Sequence, residues 1–368
     1  MNNKEHLKSL HKQMEKENLG PLWASIHDLN TIEPKSKPIP YLWKKDLIRK
    51  YLDKSERLLT VGDGADRRAV FLINPGMKDL EPVGWGGATQ TLFAAVQAVK
   101  PGEIAPAHRH TTTALRYIIN GEGARGRVNG EQITFEPGDF LTTPTWTWHD
   151  HTNVGDEEVW WMDCLDVPFT KFLGTCFTEF YDEMQQELYV PDDYSSTRYQ
   201  GGMIRPVNDR DPKIAPLGRY KWELTKTGLD GLSMHDPDPI DGHAVEYINP
   251  STGKDANDRI GARMQKLPTN FKGIAHRHVH STIYHVVSGR GYTVMNGVRF
   301  DWKKGDFFVA PSWTWHEHVN TSDEEESFLF STNDLPIMES FNFEVKEDYG
   351  ENGGHQKIES VFNPSPIK

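Results

Sequence analysis

At 368 residues the chain is long enough for two domains with substantial cores. Its formal net charge of −12 argues against nucleic acid as a partner, because phosphate binding needs a basic surface. The same charge repels acids, so an acidic substrate would have to be held by a local cation. The two cysteines, Cys164 and Cys176, form no disulfide framework and are expected as reduced thiols. Without a long apolar run or a secretory signal, the sequence predicts a cytoplasmic protein that does not enter membranes.

Predicted elements in chain order divide the sequence into five segments. Residues 1–60 form a helical N-terminal segment, with the stretches EHLKSLHKQMEKEN and KKDLIRKYLDK broken by PKSKPIP. Residues 61–190 form a strand-rich domain, in which LFAAVQAV, ALRYIING and WWMDCLDV are rich in β-branched and aromatic residues. The amphipathic stretch FTEFYDEMQQELY (177–189) predicts a helix following that domain. A polar linker at 191–245, a second strand-rich domain at 246–345 and a tail at 346–368 without a clear pattern complete the chain.

The two strand-rich domains repeat one another. PAHRHTTTALRYIINGEG (106–123) aligns with IAHRHVHSTIYHVVSGRG (274–291) at an offset of 168 residues. GDFLTTPTWTWHDHTN (138–153) aligns with GDFFVAPSWTWHEHVN (305–320) at an offset of 167, with one residue lost near the Asn-Gly turns. Two long matches in the same order indicate duplication of a whole domain. Short strands and tight turns favour an antiparallel barrel or jelly roll, although periodicity alone does not exclude a sandwich.

Each repeat carries three histidines with the spacing of metal ligands. On a strand, His108 and His110 point to the same face, and His149 follows 39 residues later in another strand-like block. The second repeat offers a possible second site at His276, His278 and His316. Imidazoles alone do not choose between zinc, copper, iron and nickel. Three neutral ligands would leave the ion its full charge and three open positions, which favours an anionic chelating substrate together with dioxygen.

These residues match the two cupin motifs. The first motif is present as Gly102, His108, His110 and Gly121 but lacks its usual Glu. Ala114 stands where that carboxylate ligand would follow, and Thr282 stands there in the second repeat. The second motif is complete as Gly138, Pro144, His149 and Asn153. Nearly the whole chain resembles the gentisate 1,2-dioxygenase family, with its salicylate and 1-hydroxy-2-naphthoate relatives. The phrases that carry the resemblance are GPLWASI (20–26), RRAVFLINPG (67–76), TLFAAVQAVKPGEIAPAHRHTTTALRYIINGEG (91–123), TPTWTWHDHTN (143–153), WWMDCLDVPF (160–169), EYINPSTG (246–253) and PSWTWHEHVN (311–320).

The resemblance implies a mainly β bicupin, two jelly-roll barrels with helical N-terminal and linker segments, assembled as a tetramer. It implies Fe(II) on the first triad and cleavage of gentisate by O2 between C1 and C2 to maleylpyruvate. The substrate would chelate the iron through its carboxylate and 2-hydroxyl. Salicylate and 1-hydroxy-2-naphthoate are alternative substrates, because one pocket substitution shifts hydrophobic fit by only about 1–3 kcal/mol.

Further residues are candidates for the substrate site. Arg116 shares the parity of His108 and would hold the substrate carboxylate, with a surface position as the alternative. One of Arg67 and Arg68 is expected inward and the other solvated. His151 is a candidate acid or base, and Asp163, in an apolar strand, needs a partner such as an arginine or a ligand histidine. Gln97 and Trp146 are assigned to the pocket, although both also fit the core.

The second repeat differs at one of these positions, and other functions stay open. Tyr284 replaces Arg116 there, so a second metal would lack the same substrate clamp. A bicupin decarboxylase is less favoured, because such sites normally use manganese with a carboxylate ligand. A non-enzymatic ligand-binding cupin would not need three metal ligands.

Overall fold

A computed structural model describes the chain at residues 3–61, 64–65 (backbone only), 67–78, 87–209 and 217–364. Parts of the predicted linker (210–216), the first domain (62–63, 66 and 79–86) and both ends (1–2 and 365–368) lie outside the described residues. The chain divides after Lys35 into two compact units. Among the described helices, none is both long and apolar enough to cross a membrane.

Helices in the described chain are short. They are α1 Asn3–Lys16, α2 Leu22–Leu29, α3 Lys45–Glu56, α4 Val167–Phe172, α5 Tyr194–Tyr199, α6 Trp222–Leu232 and α7 Leu335–Ser340, with 3-10 turns at Pro75–Met77, Gln200–Gly202 and Asn352–Gly354. The first two belong to the unit that ends at Lys35. All the other helices lie in the larger unit, beside the strands.

Strands make up most of the larger unit. Those up to the end of the first repeat are β1 Tyr41–Trp43, β2 Thr60–Val61, β3 Gly64–Ala65, β4 Ala69–Phe71, β5 Phe93–Val99, β6 Ile104–His110, β7 Ala114–Asn120, β8 Ala124–Val128, β9 Glu131–Thr134, β10 Phe140–Thr143, β11 His149–Asn153, β12 Val159–Leu165 and β13 Thr178–Phe180. The later ones are β14 Arg219–Tyr220, β15 His243–Glu246, β16 Gly261–Leu267, β17 His276–His278, β18 Thr282–Ser288, β19 Arg290–Met295, β20 Val298–Lys303, β21 Phe307–Ala310, β22 His316–Asn320, β23 Ser327–Asn333, β24 Lys346–Asp348 and β25 Ser360–Val361.

Two barrels are built from these strands, each from a pair of sheets. The first barrel combines the order β14-β10-β7-β12-β5-β4 with β13-β6-β11-β8-β9. The second combines β1-β21-β18-β23-β16-β15 with β24-β17-β22-β19-β20-β25. In both barrels an Asn-Gly turn has positive φ at both residues, 48° and 81° at Asn129 and Gly130 and 47° and 78° at Asn296 and Gly297. That conformation is typical of tight hairpins, so the turn signals were correct.

The outer faces of the two barrels share one apolar core. Tyr117 of the first barrel stacks on Phe330 of the second, with ring centroids 4.3 Å apart. Both rings belong to a buried cluster to which strands of each barrel contribute. The N-terminal segment adds to this connection: β1 pairs with β21 of the second barrel, while Arg49 on α3 forms an ion pair with Glu158 of the first. The barrels therefore fold against each other in one unit.

The helix predicted for 177–189 is wrong. Residues Thr178–Phe180 form β13, which pairs with β6 so that Thr178 faces His110 and Phe180 faces His108. The pairing continues through the amide of Tyr181, which donates to the carbonyl of Ala107 at 3.0 Å. The edge of β6 offers unpaired backbone groups, and satisfying them outweighs the local helical pattern. The helix that follows the first repeat is the earlier α4.

The segments predicted as linker and tail contain short strands that pair with edge strands of the barrels. Within 191–245, β14 pairs with β10, where Tyr220 faces Phe140. In the tail, β24 pairs with β17, and β25 pairs with β20. Strands that lack a clear sequence pattern thus extend both barrels at their edges.

Candidate active site

The first histidine triad comes together inside the first barrel. His108 and His110 lie on β6 and His149 begins β11, directly opposite His108 in the antiparallel register. One ring nitrogen from each of the three lies within 4.8 Å of the others. The ring centroids are 4.3 Å apart for His108 and His149, 4.7 Å for His110 and His149, and 5.3 Å for His108 and His110. The sequence prediction of a convergent triad is confirmed.

Backbone carbonyls orient the three rings. The Nδ1 atoms lie 3.0 Å from the carbonyl oxygen of Pro106 for His108, 2.8 Å from that of Thr112 for His110, and 2.9 Å from that of Thr147 for His149. For His110 and His149, a proton on Nδ1 satisfies the carbonyl and leaves Nε2 as the lone-pair nitrogen. At His108 the guanidinium of Arg67 also approaches Nδ1, at 2.7 Å. The Nε2 of His149 is buried and has no hydrogen-bond partner. This is the arrangement expected of ligands that share a metal ion.

Burial keeps the three imidazoles neutral. It lowers the pKa of His108 to about 3 and that of His110 to about 4, with nearby guanidinium groups adding to the effect. The pKa of His149 is likewise held well below its ordinary value, first by burial. Neutral imidazole is the form that binds a metal. Three such donors fit a divalent transition metal, and a catalytic site of this kind keeps further positions open for substrate.

Arg67 and Arg68 have different surroundings. Arg67 reaches the triad, with Nη2 3.1 Å from the carbonyl oxygen of Pro106 and 2.7 Å from Nδ1 of His108. Arg68 is 1 % exposed and forms two bonds to Glu103, each 2.7 Å long. The expectation that the outward arginine would be solvated is therefore wrong, because the carboxylate of Glu103 offsets the cost of burying a guanidinium.

Arg116 also points into the first barrel. It lies on β7, and its Nε is 2.9 Å from Oδ1 of Asp163 on the neighbouring β12. Both side chains are 6 % exposed. The Nη1 of Arg116 donates to the hydroxyl of Thr143. Thr143 and Asp163 are thus partners of this guanidinium among the described residues. The surface alternative for Arg116 is excluded, and Asp163 has the partner that its apolar strand demanded.

His151 lies beside the triad with both ring nitrogens buried and without a partner. Its ring centroid is 6.0 Å from that of His149 and 5.4 Å from that of Trp161. Burial, and then the charge of Arg116, holds its pKa well below the ordinary value. Gly126 faces it on β8, where a Cβ atom would come within 3.2 Å of Nδ1 and 2.7 Å of Phe135. The glycine gives the imidazole room without offering it a hydrogen bond.

Gln97 and Trp146 have different placements. Gln97 is 3 % exposed, faces Trp161 across β5 and β12, and has a buried Nε2 without a partner. Trp146 packs on Phe177 and beneath the guanidinium of Arg109, whose central carbon is 4.6 Å from the ring centroid. Arg109 alternates with His108 and His110 on β6 and so points away from them. The substrate contact predicted for Trp146 is corrected, because the ring packs with Arg109.

Two contributors were missed by the sequence analysis. Thr143 accepts a hydrogen bond from Arg116, and the indole of Trp161 donates to Oδ2 of Asp163 at 3.1 Å. Trp161 stands two residues before Asp163, so strand parity alone could have placed both on one face. No local signal marks Thr143, because its role depends on the register of β10 against β7.

The second triad has nearly the same geometry as the first. His276 pairs with His316 across β17 and β22, and one nitrogen of each histidine in the triad lies within 4.8 Å of the others. The ring centroids are 4.2, 4.9 and 5.4 Å apart. A cavity of about 330 Å³ adjoins this triad.

Comparison with known proteins agrees with the duplicated barrel. The family model of the cupin domain matches residues 95–167 and 263–332. Gentisate 1,2 dioxygenase 1 of Aquipseudomonas alcaligenes is 36% identical over 338 residues, covering 91% of this chain and 94% of that protein. 5-Aminosalicylate 1,2-dioxygenase of Comamonas sp is 35% identical over 362 residues, covering 97% of this chain and 94% of that protein.

A solved structure extends this similarity to the fold. Salicylate 1,2-dioxygenase from Pseudoaminobacter salicylatoxidans, described with gentisate adducts, superposes with a TM-score of 0.87 at 32% identity. The match covers 95% of this chain and 96% of that one. The bicupin architecture predicted from the sequence is thereby confirmed. The chain belongs to the family of gentisate 1,2-dioxygenases and their salicylate-cleaving relatives, and it is an oxidoreductase of that type.

Proposed function

We propose that this protein is an Fe(II)-dependent dioxygenase that opens gentisate between C1 and C2 with O2, giving maleylpyruvate. The single observation that carries the proposal is the charge inside the first barrel. Arg67 lies against His108, and Arg116 projects into the same interior with one carboxylate, Asp163, beside it. The guanidinium groups of Arg67 and Arg116 give an acid a local cationic binding place, which the acidic surface of the molecule does not offer.

The metal ligands in this proposal are His108, His110 and His149. A ferrous ion held by them would supply adjacent open positions for the carboxylate and 2-hydroxyl of the substrate and for dioxygen, together with the redox chemistry of iron. Both atoms of the oxygen molecule end in the ring-opened product. The protein contributes position and charge around the ring.

The guanidinium groups hold the acid in place. Arg67 and Arg116 neutralise the carboxylate, and the flat fork of Arg116 fixes its plane, because bidentate pairing sets direction as well as charge. Asp163 positions Arg116 by holding its Nε. The Nε2 of Gln97 is a further donor that the fold leaves unsatisfied. These contacts set which carbons of the ring face the triad.

His151 contributes a neutral imidazole with a donor and an acceptor, neither of which has a hydrogen-bond partner among the described residues. We assign it a hydrogen bond to a substrate hydroxyl and proton transfer at that oxygen while the ring opens. A site that binds a hydroxyl discriminates strongly against an analogue that lacks it, since its polar atoms are then left unpaired. Salicylate and 1-hydroxy-2-naphthoate remain the alternative substrates within the same chemistry.

The direct test is anaerobic loading with Fe(II), followed by gentisate, salicylate and 1-hydroxy-2-naphthoate in air-saturated buffer. We expect one O2 consumed per gentisate and a product whose mass is that of the substrate plus both oxygen atoms. Product formed without O2 uptake, or no uptake with any of the three acids, would overturn the proposal. The same protein loaded with Zn(II) is the control and should consume no oxygen.

We also propose that the protein works as a cytoplasmic homotetramer. Exposed apolar side chains support an oligomer. They lie at β13, as Phe177 and Phe180, and after α7, as Phe341 and Phe343. Light scattering of the purified protein should give four times the chain mass. A monomer at micromolar concentration would contradict this assembly.

A further inference from the structure

The second barrel repeats, for two of its three histidines, the way in which the first barrel orients its ligands. The Nδ1 of His278 lies 2.7 Å from the carbonyl oxygen of His280, and that of His316 lies 2.8 Å from the carbonyl oxygen of Thr314. His110 and His149 use the carbonyls of Thr112 and Thr147 at the same relative positions. The second barrel thus keeps the device that selects Nε2 as a ligand.

Two nitrogen atoms of the second triad, Nδ1 of His276 and Nε2 of His316, have no hydrogen-bond partner among the described residues. His316 is 1 % exposed, and its Nε2 has no hydrogen-bond partner. Three buried imidazoles that aim nitrogens at one point are costly unless something accepts their lone pairs. The three ring-to-ring distances differ by no more than about 0.2 Å from those of the first triad. An electron-pair acceptor of the same size fits both places.

The charged residues around the two triads differ. The cavity beside the second triad is lined by the carboxylates of Asp241, Glu339 and Glu344 and by the cations of Arg263 and Lys346. Arg263 is further engaged by Glu246, with Nη2 2.5 Å from Oε1. Among the described residues that line this cavity, carboxylates outnumber cations, whereas the guanidinium groups of Arg67 and Arg116 lie near the first triad. A divalent cation would be balanced here, and little charge would remain to attract an acid.

The groups that would handle a substrate in the first barrel are replaced in the second. Tyr284 stands at the position of Arg116, and Ser331, which faces it across β18 and β23, stands at the position of Asp163. His318, the counterpart of His151, is not left unpartnered, because its Nδ1 lies 2.9 Å from the hydroxyl of Thr293. The second barrel therefore keeps the three histidines but lacks the residues that would bind a substrate in the first barrel.

We propose that the second barrel holds a second divalent metal ion on His276, His278 and His316, as a retained centre that does not take the aromatic acid. The metal part stands independently of the function proposed above. The part concerning the acid rests on that function, since the first barrel provides the comparison. The chain would then carry two metal ions in two chemically different surroundings.

Metal content of single-site variants tests the proposal. Chelator-treated protein is loaded anaerobically with Co(II), dialysed and analysed for cobalt per chain. We expect two ions in the unaltered protein, one in His149→Ala, one in His316→Ala and none in the double variant. The exposed His235→Ala is the matched control and should retain two. His276→Asn replaces His316→Ala if the latter does not fold, as judged by circular dichroism.

Each outcome identifies which site has failed. One ion in the unaltered protein and none in His149→Ala would overturn the second centre. One ion in His149→Ala and none in His316→Ala would instead overturn the first site and leave the second standing. Gentisate is then added to each cobalt-loaded single variant. We expect the visible absorption of the bound Co(II) to change in His316→Ala and to stay constant in His149→Ala. A change in His149→Ala would overturn the claim that this centre excludes the acid.

Discussion

Arg116 and Asp163 form a buried ion pair across neighbouring strands, with Nε 2.9 Å from Oδ1 and both side chains 6 % exposed. Burial raises the pKa of Asp163, and the charge of Arg116 opposes this. The pair fixes a guanidinium beside the histidine triad, with its outer edge directed at the interior. Asp163 therefore acts on the substrate through Arg116.

Substituting Asp163→Asn should lower kcat/KM for gentisate. We expect a loss of about 10- to 100-fold, because a displaced guanidinium no longer holds the carboxylate in register with the triad. Metal per chain should stay unchanged, since Asp163 is no ligand. Steady-state kinetics and metal analysis test this, with the exposed Asp156→Asn as control. An unaltered kcat/KM would show that Asp163 does not position Arg116.

Adjacent arginines should give opposite phenotypes. Arg68→Ala leaves the partly buried carboxylate of Glu103 without its guanidinium partner, although the amide of Lys100 still donates to it, so the free energy of unfolding should fall by about 2–3 kcal/mol. Arg67→Ala should instead lower kcat/KM by about 10- to 100-fold with a stability change near 0.5 kcal/mol, because Arg67 faces the triad and is not part of the core. Urea unfolding and oxygen uptake measured on both variants separate the two roles. A reversed pattern would exchange the assignments.

His151 and His318 offer a matched pair of substitutions. His151→Phe should lower kcat by about 100-fold or more while metal content is retained, because an unpartnered imidazole that moves a proton is lost. His318→Phe should leave kcat unchanged and lower the free energy of unfolding by about 1–3 kcal/mol, since Thr293 loses a buried partner. Equal effects on kcat would refute the distinction between the two barrels.

Strand parity and the internal repeat were sufficient to predict the two strand-rich domains, both triads and the inward Arg116, while the barrel form came from the resemblance to the cupin family. They could not assign β13, because 177–189 has a helical pattern and becomes a strand only against the edge of β6. Strand parity and the repeat also did not predict that Arg68 is buried, because its partner Glu103 is distant in sequence. The placement of Trp146 could not be read from strand alternation, because this residue itself has a φ of 60°. The local sequence pattern was thus enough to predict the histidine ligands, whereas the residues around them depend on strand pairing and on contacts that are distant in sequence.

The carboxyl group of Asp255, next to the second barrel, predicts a contribution to the pH dependence of stability. Burial, followed by the charge of Glu246, raises the pKa of Asp255 to about 6. In the unfolded chain this pKa is near 3.9. The folded state therefore holds a proton that the unfolded state releases between these values. The stabilising contribution is complete below about pH 4 and is lost as the pH rises through about 6.

Replacing Asp255 by Asn removes this linkage. The stability of the variant relative to the unaltered protein should increase by about 1–2 kcal/mol between pH 4 and pH 7, less than the full linkage value because the carboxyl is partly exposed. Urea unfolding at pH 4, 5, 6 and 7 measures the difference. The control is Asp258→Asn, which changes an exposed neighbour. Its free energy of unfolding should change with pH in the same way as that of the unaltered protein. If Asp255→Asn ran parallel as well, the carboxyl would not carry the proton into the fold, and repulsion by Glu246 would not be felt there.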